Sequence, residues 1–315
     1  MLDALFHDFA GAVPGASALL LRDGEPIVAA AYGLADMERQ AQATTATRYR
    51  LASVSKQFTA MAVLLLVAEG RLRLGDPLAR FFAPAPPLWQ QITVEQLLAH
   101  TSGLLDYEEL IPPGTSAQLS DHDVLELVRP HAEGYGAPGT VFRYSNTGYC
   151  LAALLVAQVA DRPFAEVLGE RIFAPLGMAS TQAGPPAERR AYGHSRCGQG
   201  WARTDQSLTS ATLGDGGIYS SVEDLARWDA ALASGRLLPP ALSARIFAPH
   251  AAAPGGEHYG LGWFLRGARL AYHTGDTTGF RTAIVRRLDT RLTAIVLANR
   301  SEAGPLALAE ALMAL

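Results

Sequence analysis

The stretch Leu51-Ala52-Ser53-Val54-Ser55-Lys56-Gln57-Phe58 holds the only lysine of a 315-residue chain that otherwise uses 25 arginines (26 Lys+Arg minus one). Where positive charge alone suffices, this chain uses Arg. A guanidinium stays protonated in proteins, whereas a desolvated ammonium can become a neutral base. The surviving lysine follows a serine by three residues, a helical spacing. Codon bias explains scarce lysine but not that placement, so Ser53-x-x-Lys56 reads as a nucleophile and its proton acceptor. The structural alternative makes Ser53 the N-cap of a helix from Ser53 to Glu69 that stops at Gly70. It leaves Lys56 as a defect: a capping box wants Glu or Gln there, and a cation in the first turn opposes the helix dipole. For chemistry the same dipole is useful, because it favours a neutral lysine and a developing oxyanion.

Outward from this helix, the chain ends read as sheet. Ser17 to Arg22 and Pro26 to Tyr32 flank Asp23-Gly24, a hairpin signal. Tyr259 to Arg266, Arg269 to His273, Phe280 to Arg287 and Leu292 to Asn299 read as consecutive strands. Short helices over Leu2–Ala10 and Ala303–Leu315 close the two ends. Between them the pattern is helical. Thr93-x-x-Gln96 and Ser220-x-x-Glu223 are capping boxes, and Asp121 to Val128, Asn146 to Ala160 and Pro163 to Phe173 supply further helices. Pro/Gly-rich connections run over Ala83–Pro87, Ile111–Gly114 and Ala183–Gly200. The fold expected is α+β: an antiparallel sheet built from both chain ends and flanked by helices, with a large, mostly helical insertion. Residues 1–70 with 250–315 form the sheet domain, 71–249 the helical one, and Ser53 lies at the seam.

Composition narrows the partners. A net charge of −4 and a pI near 6.1 argue against a nucleic-acid or anionic-membrane partner. The longest apolar run, Ala60 to Ala68, falls short of the about 20 residues that a bilayer span requires. The N-terminus carries no basic segment followed by an apolar one, which points to a cytoplasmic location, or to a periplasmic or secreted one if a leader has been removed. Cys150 and Cys197 are expected as free buried thiols rather than a disulfide.

Two more segments carry chemistry. Phe142-Arg143-Tyr144-Ser145-Asn146-Thr147-Gly148-Tyr149 can be read blandly, with Tyr144 ending a loop and Asn146 capping a helix. Tyr272-His273-Thr274-Gly275-Asp276 ends a strand, where a lone histidine is commonly structural. Taken in order with Ser53-x-x-Lys56, the three resemble the penicillin-recognising serine hydrolases. The branch is the one with Tyr-x-Asn as second motif: class C β-lactamases, a DD-carboxypeptidase type, D-aminopeptidases and related esterases. His100-Thr101-Ser102-Gly103-Leu104, Ile172 to Met178, Gly216 to Ser220 and Tyr259 to Trp263 extend the likeness over most of the chain and read as fold markers.

The resemblance implies an acyl-enzyme mechanism with Ser53 as nucleophile and with Lys56 and Tyr144 relaying its proton. Asn146, His273, Thr274 and Gly275 would contact substrate, and the backbone N–H groups of Ser53 and Asp276 would form the oxyanion hole. His273 stands where class C β-lactamases carry Lys, which turns the expectation from a β-lactam towards a small ester or a D-residue-containing peptide or amide. The alternatives are a β-lactamase, or a non-catalytic member that binds peptidoglycan or a peptide. Asp276 is acidic where carboxylate-recognising relatives carry a small or hydroxyl residue, so it either repels substrate carboxylates or caps the Thr277-Thr278-Gly279 turn. This reading requires no metal and no cofactor. His194-Ser-Arg-Cys197 lacks a second ligand pair, no Gly-x-Ser-x-Gly elbow is present, and Gly260-x-Gly262 lacks the third glycine of a dinucleotide fingerprint.

Overall fold

Leu292–Ala298 is a strand of seven residues, all of them buried. Such a strand needs cover on both faces, and it finds it inside an eight-stranded antiparallel sheet. In the computed structural model, which describes residues 1–186 and 188–315, the sheet comprises β1 (Ala16–Arg22), β2 (Glu25–Tyr32), β3 (Ala251–Ala252), β4 (His258–Tyr259), β5 (Phe264–Arg266), β6 (Leu270–Thr277), β7 (Phe280–Arg287) and β8 (Leu292–Ala298). Their order is β3-β4-β5-β6-β7-β8-β1-β2. The two chain ends meet at the β1–β8 pairing, with Ala16 opposite Ala298 and Arg22 opposite Leu292. The fold is α+β, with the antiparallel sheet assembled from both termini.

Successive side chains of a strand point to opposite faces, and the two faces meet different cores. Ala294, Val296 and Ala298 pack with Phe6, Phe9, Ala309 and Leu312, under the terminal helices Leu2–Leu5 and Pro305–Leu312. Ile295 and Leu297 face the larger core, which holds the Lys56–Ala68, Thr147–Ala160 and Val222–Ser234 helices. The first of these is buried from Lys56 to Leu66. Its Phe58 ring lies 4.4 Å from Trp228 and 5.5 Å from Phe173, and the chain leaves it through Gly70 at φ +71°.

Several expectations need correction. Ser53 is no N-cap: Ala52–Ser55 form a 3-10 turn and the α-helix begins at Lys56. The second capping serine is Ser221, which accepts from Asp224 N–H, because Ser220 still belongs to the Ile218–Ser220 strand and pairs its hydroxyl with Thr181. Tyr259 to Arg266 is two strands, broken where Gly262 (φ +82°) backs onto the Gln57 backbone. The middle of the chain also carries strands. His194–Cys197 pairs with Gly200–Arg203, and Ile218–Ser220 pairs with Tyr49–Arg50 and Gln182–Ala183. Ala187, in the Ala183–Gly200 connection, lies outside the described residues. Both cysteines are free thiols, but only Cys150 is buried, since Cys197 sits exposed at the hairpin turn. Among the described residues no helix is long and apolar enough to cross a membrane.

One close approach joins sheet to helix. A Cβ on Gly275 of β6 would lie 2.1 Å from the Leu51 carbonyl oxygen and 3.0 Å from Ala52 Cβ, so only glycine lets the strand run under the turn that carries Ser53. Thr282 of β7 donates to the same Leu51 oxygen at 2.6 Å. Gly275→Ala should cost about 1 to 3 kcal/mol through overpacking, measured as a lower midpoint in denaturant unfolding, and should displace Ser53. An unchanged midpoint with unchanged activity would show that the contact has slack.

Candidate active site

Ser53 sits in a strained turn. Ala52, directly before it, is buried and adopts φ +49°, a left-handed conformation that costs a non-glycine residue about 1 to 2 kcal/mol. Both flanks of the turn are tied down. Leu51 N–H donates to Ile218 O at 2.8 Å, and Ile218 N–H donates to Ser55 Oγ at 3.1 Å. The Ser53 hydroxyl forms no helix cap and is left for Lys56.

Lys56 is fully buried at the start of its helix. An ammonium carries three donors, and three acceptors surround this one: Ser53 Oγ at 3.0 Å, Asn146 Oδ1 at 2.7 Å and the Asp215 carbonyl at 2.9 Å. The loop bearing that carbonyl is held in its turn. Asp121 accepts the N–H groups of Leu213 and Gly214 at 3.0 and 3.1 Å, and Thr59 donates to Gly214 O at 2.6 Å. Burial, reinforced by the neighbouring Asp215, pushes the Asp121 carboxyl up to about 7. Among the described residues, Asp121, Cys150 and Asp215 are the side chains that gather as possible metal ligands, all buried. Both Asp121 oxygens already accept N–H, and burial raises the Cys150 thiol far above its usual range. That chemistry favours a proton over a metal ion.

Tyr144 lies across the lysine, its ring centroid 5.0 Å from Nζ. It is half-buried, stacked between His100 (4.2 Å) and Phe264 (6.1 Å). Asn146 precedes the Thr147–Ala160 helix but does not cap it with its side chain. Its amide meets two partners, accepting a hydrogen bond from Lys56 at Oδ1 and donating from Nδ2 to Glu108 Oε1 at 2.8 Å. The bland reading of Asn146 as a helix cap is therefore set aside.

Ser53, Glu108, Tyr144, Asn146, Phe264, His273, Thr274 and Asp276 line one cleft of about 370 Å³. Glu108 is the member that sequence reading missed. It lies in a 3-10 turn over Tyr107–Leu110 capped by Asp106. Desolvation against the cleft wall raises its carboxyl, and Asp106 adds to the rise. A signal was present in the two acids Asp106 and Glu108 placed just after His100–Leu104, but nothing local says which of them faces the cleft.

His273 is among the residues that line this cleft. It is 1% exposed. A carbonyl can only accept, so the 2.7 Å contact to Thr274 O makes Nδ1 the donor. Nε2 then accepts from Tyr259 Oη at 3.0 Å. Burial, with the Lys56 charge nearby, lowers this imidazole to about 3. It is a neutral strut rather than a cation offered to substrate. Asp276 reaches the cleft with its side chain 74% exposed and pairs with Arg281 at 2.8 Å. The expected bare repulsion of carboxylates is thus offset by Arg281, and Asp276 forms no hydrogen bond within the Thr277–Gly279 turn. Beyond Tyr272 the outer edge of β6 pairs with no strand among the described residues.

The buried imidazoles set an acid limit. His273 and His100 are both lowered by burial, so the folded chain holds fewer protons than the unfolded one below an ordinary imidazole value of about 6.5. Their stabilisation is complete above that value and is lost as pH falls towards 3. The melting temperature should drop progressively below pH 6.5, and His273→Gln, which keeps an acceptor for Tyr259, should flatten the drop. An unchanged slope would mean that His273 does not carry the linkage.

Comparisons with known proteins identify the family. A family model described as Beta-lactamase matches residues 2–315. A penicillin-binding protein of Bacillus subtilis (strain 168) is 30% identical over 322 residues, covering 94% of this chain and 69% of the relative. A D-aminopeptidase of Cereibacter sphaeroides is 29% identical over 327 residues, covering 99% of this chain and 61% of the relative. The chain thus spans between 61% and 69% of the length of these two relatives. The crystal structure of a D-amino acid amidase from Ochrobactrum anthropi SV3, complexed with L-phenylalanine amide, matches with a TM-score of 0.85 at 29% identity, over 99% of this chain and 95% of that one. With the family model matched from its second residue to its last, the chain belongs to the β-lactamase family.

Proposed function

We propose that this chain is a serine acyl hydrolase acting on an amide or short peptide that carries a free amine beside the scissile carbonyl. The carrying observation is the Lys56–Ser53 contact of 3.0 Å at a wholly buried lysine, beneath Tyr144. Ser53 Oγ attacks the carbonyl carbon, and its proton passes to the basic member of the Lys56–Tyr144 pair, the free amine or the phenolate. The C–N bond then breaks and the amine leaves with that proton. Water attacks the resulting ester, giving its proton back to Ser53 Oγ through the same pair and releasing the acid. Backbone N–H groups of Ser53 and Asp276 hold the oxyanion, a role supported by the unpaired outer edge of β6 and by the close packing of Gly275 on Leu51. Asn146, oriented from both sides, positions the substrate amide.

The preference for an amine rests on charge at the cleft. Asp276 is matched by Arg281, whereas Glu108 has the neutral Asn146 amide as its partner and no arginine in contact. A substrate ammonium supplies the missing counter-charge, worth about 1 to 4 kcal/mol at 4 Å depending on screening. Relatives named D-aminopeptidase and D-amino acid amidase support this class.

Exposure to an activated acyl compound should add one acyl mass to the intact protein, mapped to Ser53 and absent in Ser53→Ala. An adduct at Ser55 or Ser102 instead would sink the nucleophile assignment. Tyr144→Phe should slow turnover on the order of 10² to 10⁴-fold. A D-alanyl anilide, a short-chain ester and a cephalosporin assayed side by side should rank in that order. Cephalosporin turnover above the anilide would favour a β-lactamase, and stable binding without turnover of any would favour a binding protein. Glu108→Gln should raise KM for the free-amine anilide about tenfold or more and leave the neutral ester unchanged. Equal effects on both substrates would mean that Glu108 acts only through Asn146.

A further inference from the structure

Among the described residues, seven that are not glycine adopt a left-handed backbone, and five of them are exposed. The two buried ones are Ala52 and His100, each 2% exposed. Ala52 precedes Ser53. His100, at φ +57°, lies beneath Tyr144, their ring centroids 4.2 Å apart and 31° from parallel. Buried left-handed strain persists where the surroundings over-determine it, and such outliers gather at functional sites.

We propose that His100 is a positioning residue for Tyr144. This rests on the reading of Tyr144 as an acid–base group. The His100 carbonyl accepts Arg143 N–H at 2.8 Å, and its Nδ1 accepts Ser145 N–H at 3.2 Å. The backbone is therefore gripped on both sides of Tyr144 while the imidazole plane supports its ring. A backbone N–H only donates, so Nδ1 is unprotonated and the neutral ring carries its proton on Nε2. That Nε2 is buried and has no hydrogen-bond partner. A residue chosen only to fill this space would be Leu or Phe, with no orphaned N–H and the same left-handed cost. Histidine alone combines an acceptor for Ser145 with a flat ring under Tyr144. The groups around it agree with a permanently neutral state: burial and the nearby Lys56 charge oppose protonation, and the Ser145 N–H occupies the lone pair of Nδ1. Tyr144 needs such a support, because its hydroxyl makes no hydrogen bond among the described residues and its place is set by its ring neighbours, His100 and Phe264 foremost.

A double-mutant cycle tests this. His100→Asn keeps an acceptor and tolerates the left-handed backbone but removes the ring, and His100→Phe keeps a ring but removes the acceptor. Each should lower kcat about ten- to hundred-fold through misplacement of Tyr144, with KM changed less than about threefold. In a Tyr144→Phe background the same changes should cost less than about twofold, because the positioned hydroxyl is already gone. Circular dichroism and thermal melting identify which variant stays folded, and either one completes the cycle. Equal losses in both backgrounds, or no loss in either, overturn the proposal while leaving the role of Tyr144 intact. If Tyr144→Phe is itself harmless, the acid–base reading fails and the positioning role fails with it.

Discussion

The hydrogen-bonded burial of one ammonium is the constraint on which the rest of this structure depends. Lys56 has no access to water and begins a helix whose dipole repels it. A buried charge without partners is costly enough that a protein neutralises or unfolds it. Here each of the three N–H donors meets an oxygen, and the oxygens come from three separate parts of the chain: Ser53, Asn146 and Asp215. The contacts that make the lysine tolerable are the ones that bring Ser53 and the Tyr144–Asn146 segment together. Stability and site assembly share the same bonds.

Much of the surrounding architecture maintains those three oxygens. The carbonyl of Asp215 is held because Asp121, Thr59 and Arg50 fasten the loop from Leu213 to Gly216. Asn146 is held by Asp106 on its backbone N–H and by Glu108 on its amide. The Ser53 turn is pressed between β6, which passes beneath it at Gly275, and Ile218. Strain at Ala52 is stored in a turn that too many contacts fix for it to relax. This distribution also explains the placement of the acids. Asp121 fastens the loop at Leu213 and Gly214 and Glu108 holds the Asn146 amide, and burial raises both carboxyls.

Neutral imidazoles serve the same site from behind. His273 and His100 both lie against the aromatic cluster of Tyr144, Tyr259 and Phe264, and neither can offer a charge to substrate. In a cavity already holding an ammonium, another cation would be repelled. A histidine kept neutral supplies hydrogen-bond geometry without that repulsion. The same physical fact separates the two sides of the cleft, with aromatic and uncharged groups beside Tyr144 and carboxylates at Glu108 and Asp276.

The division between what was legible in the sequence and what was not follows from the range of the forces. Lys56 as the sole lysine, three residues after Ser53, announced the chemistry because helical spacing is a local property. The apolar strands near both termini announced the sheet because strands buried on both faces have few other homes. Thr93 and Gln96 formed their capping box as read. Ser221 displaced Ser220 because Ser220 stays in its strand with its hydroxyl paired to that of Thr181. Asn146 looked like a cap, and His273 gave no sign of its buried hydrogen bonds, for one reason. Their partners, Lys56 and Glu108 for one and Tyr259 for the other, are chosen by packing across the chain. Glu108 was invisible for the same cause. By itself the sequence determined the Ser53–Lys56 pairing that the fold brings into contact and the sheet-and-helix plan. Tertiary packing alone decided which side chains are neutral, which are paired, and which face the cleft, because desolvation and hydrogen-bond geometry exist only once distant segments meet.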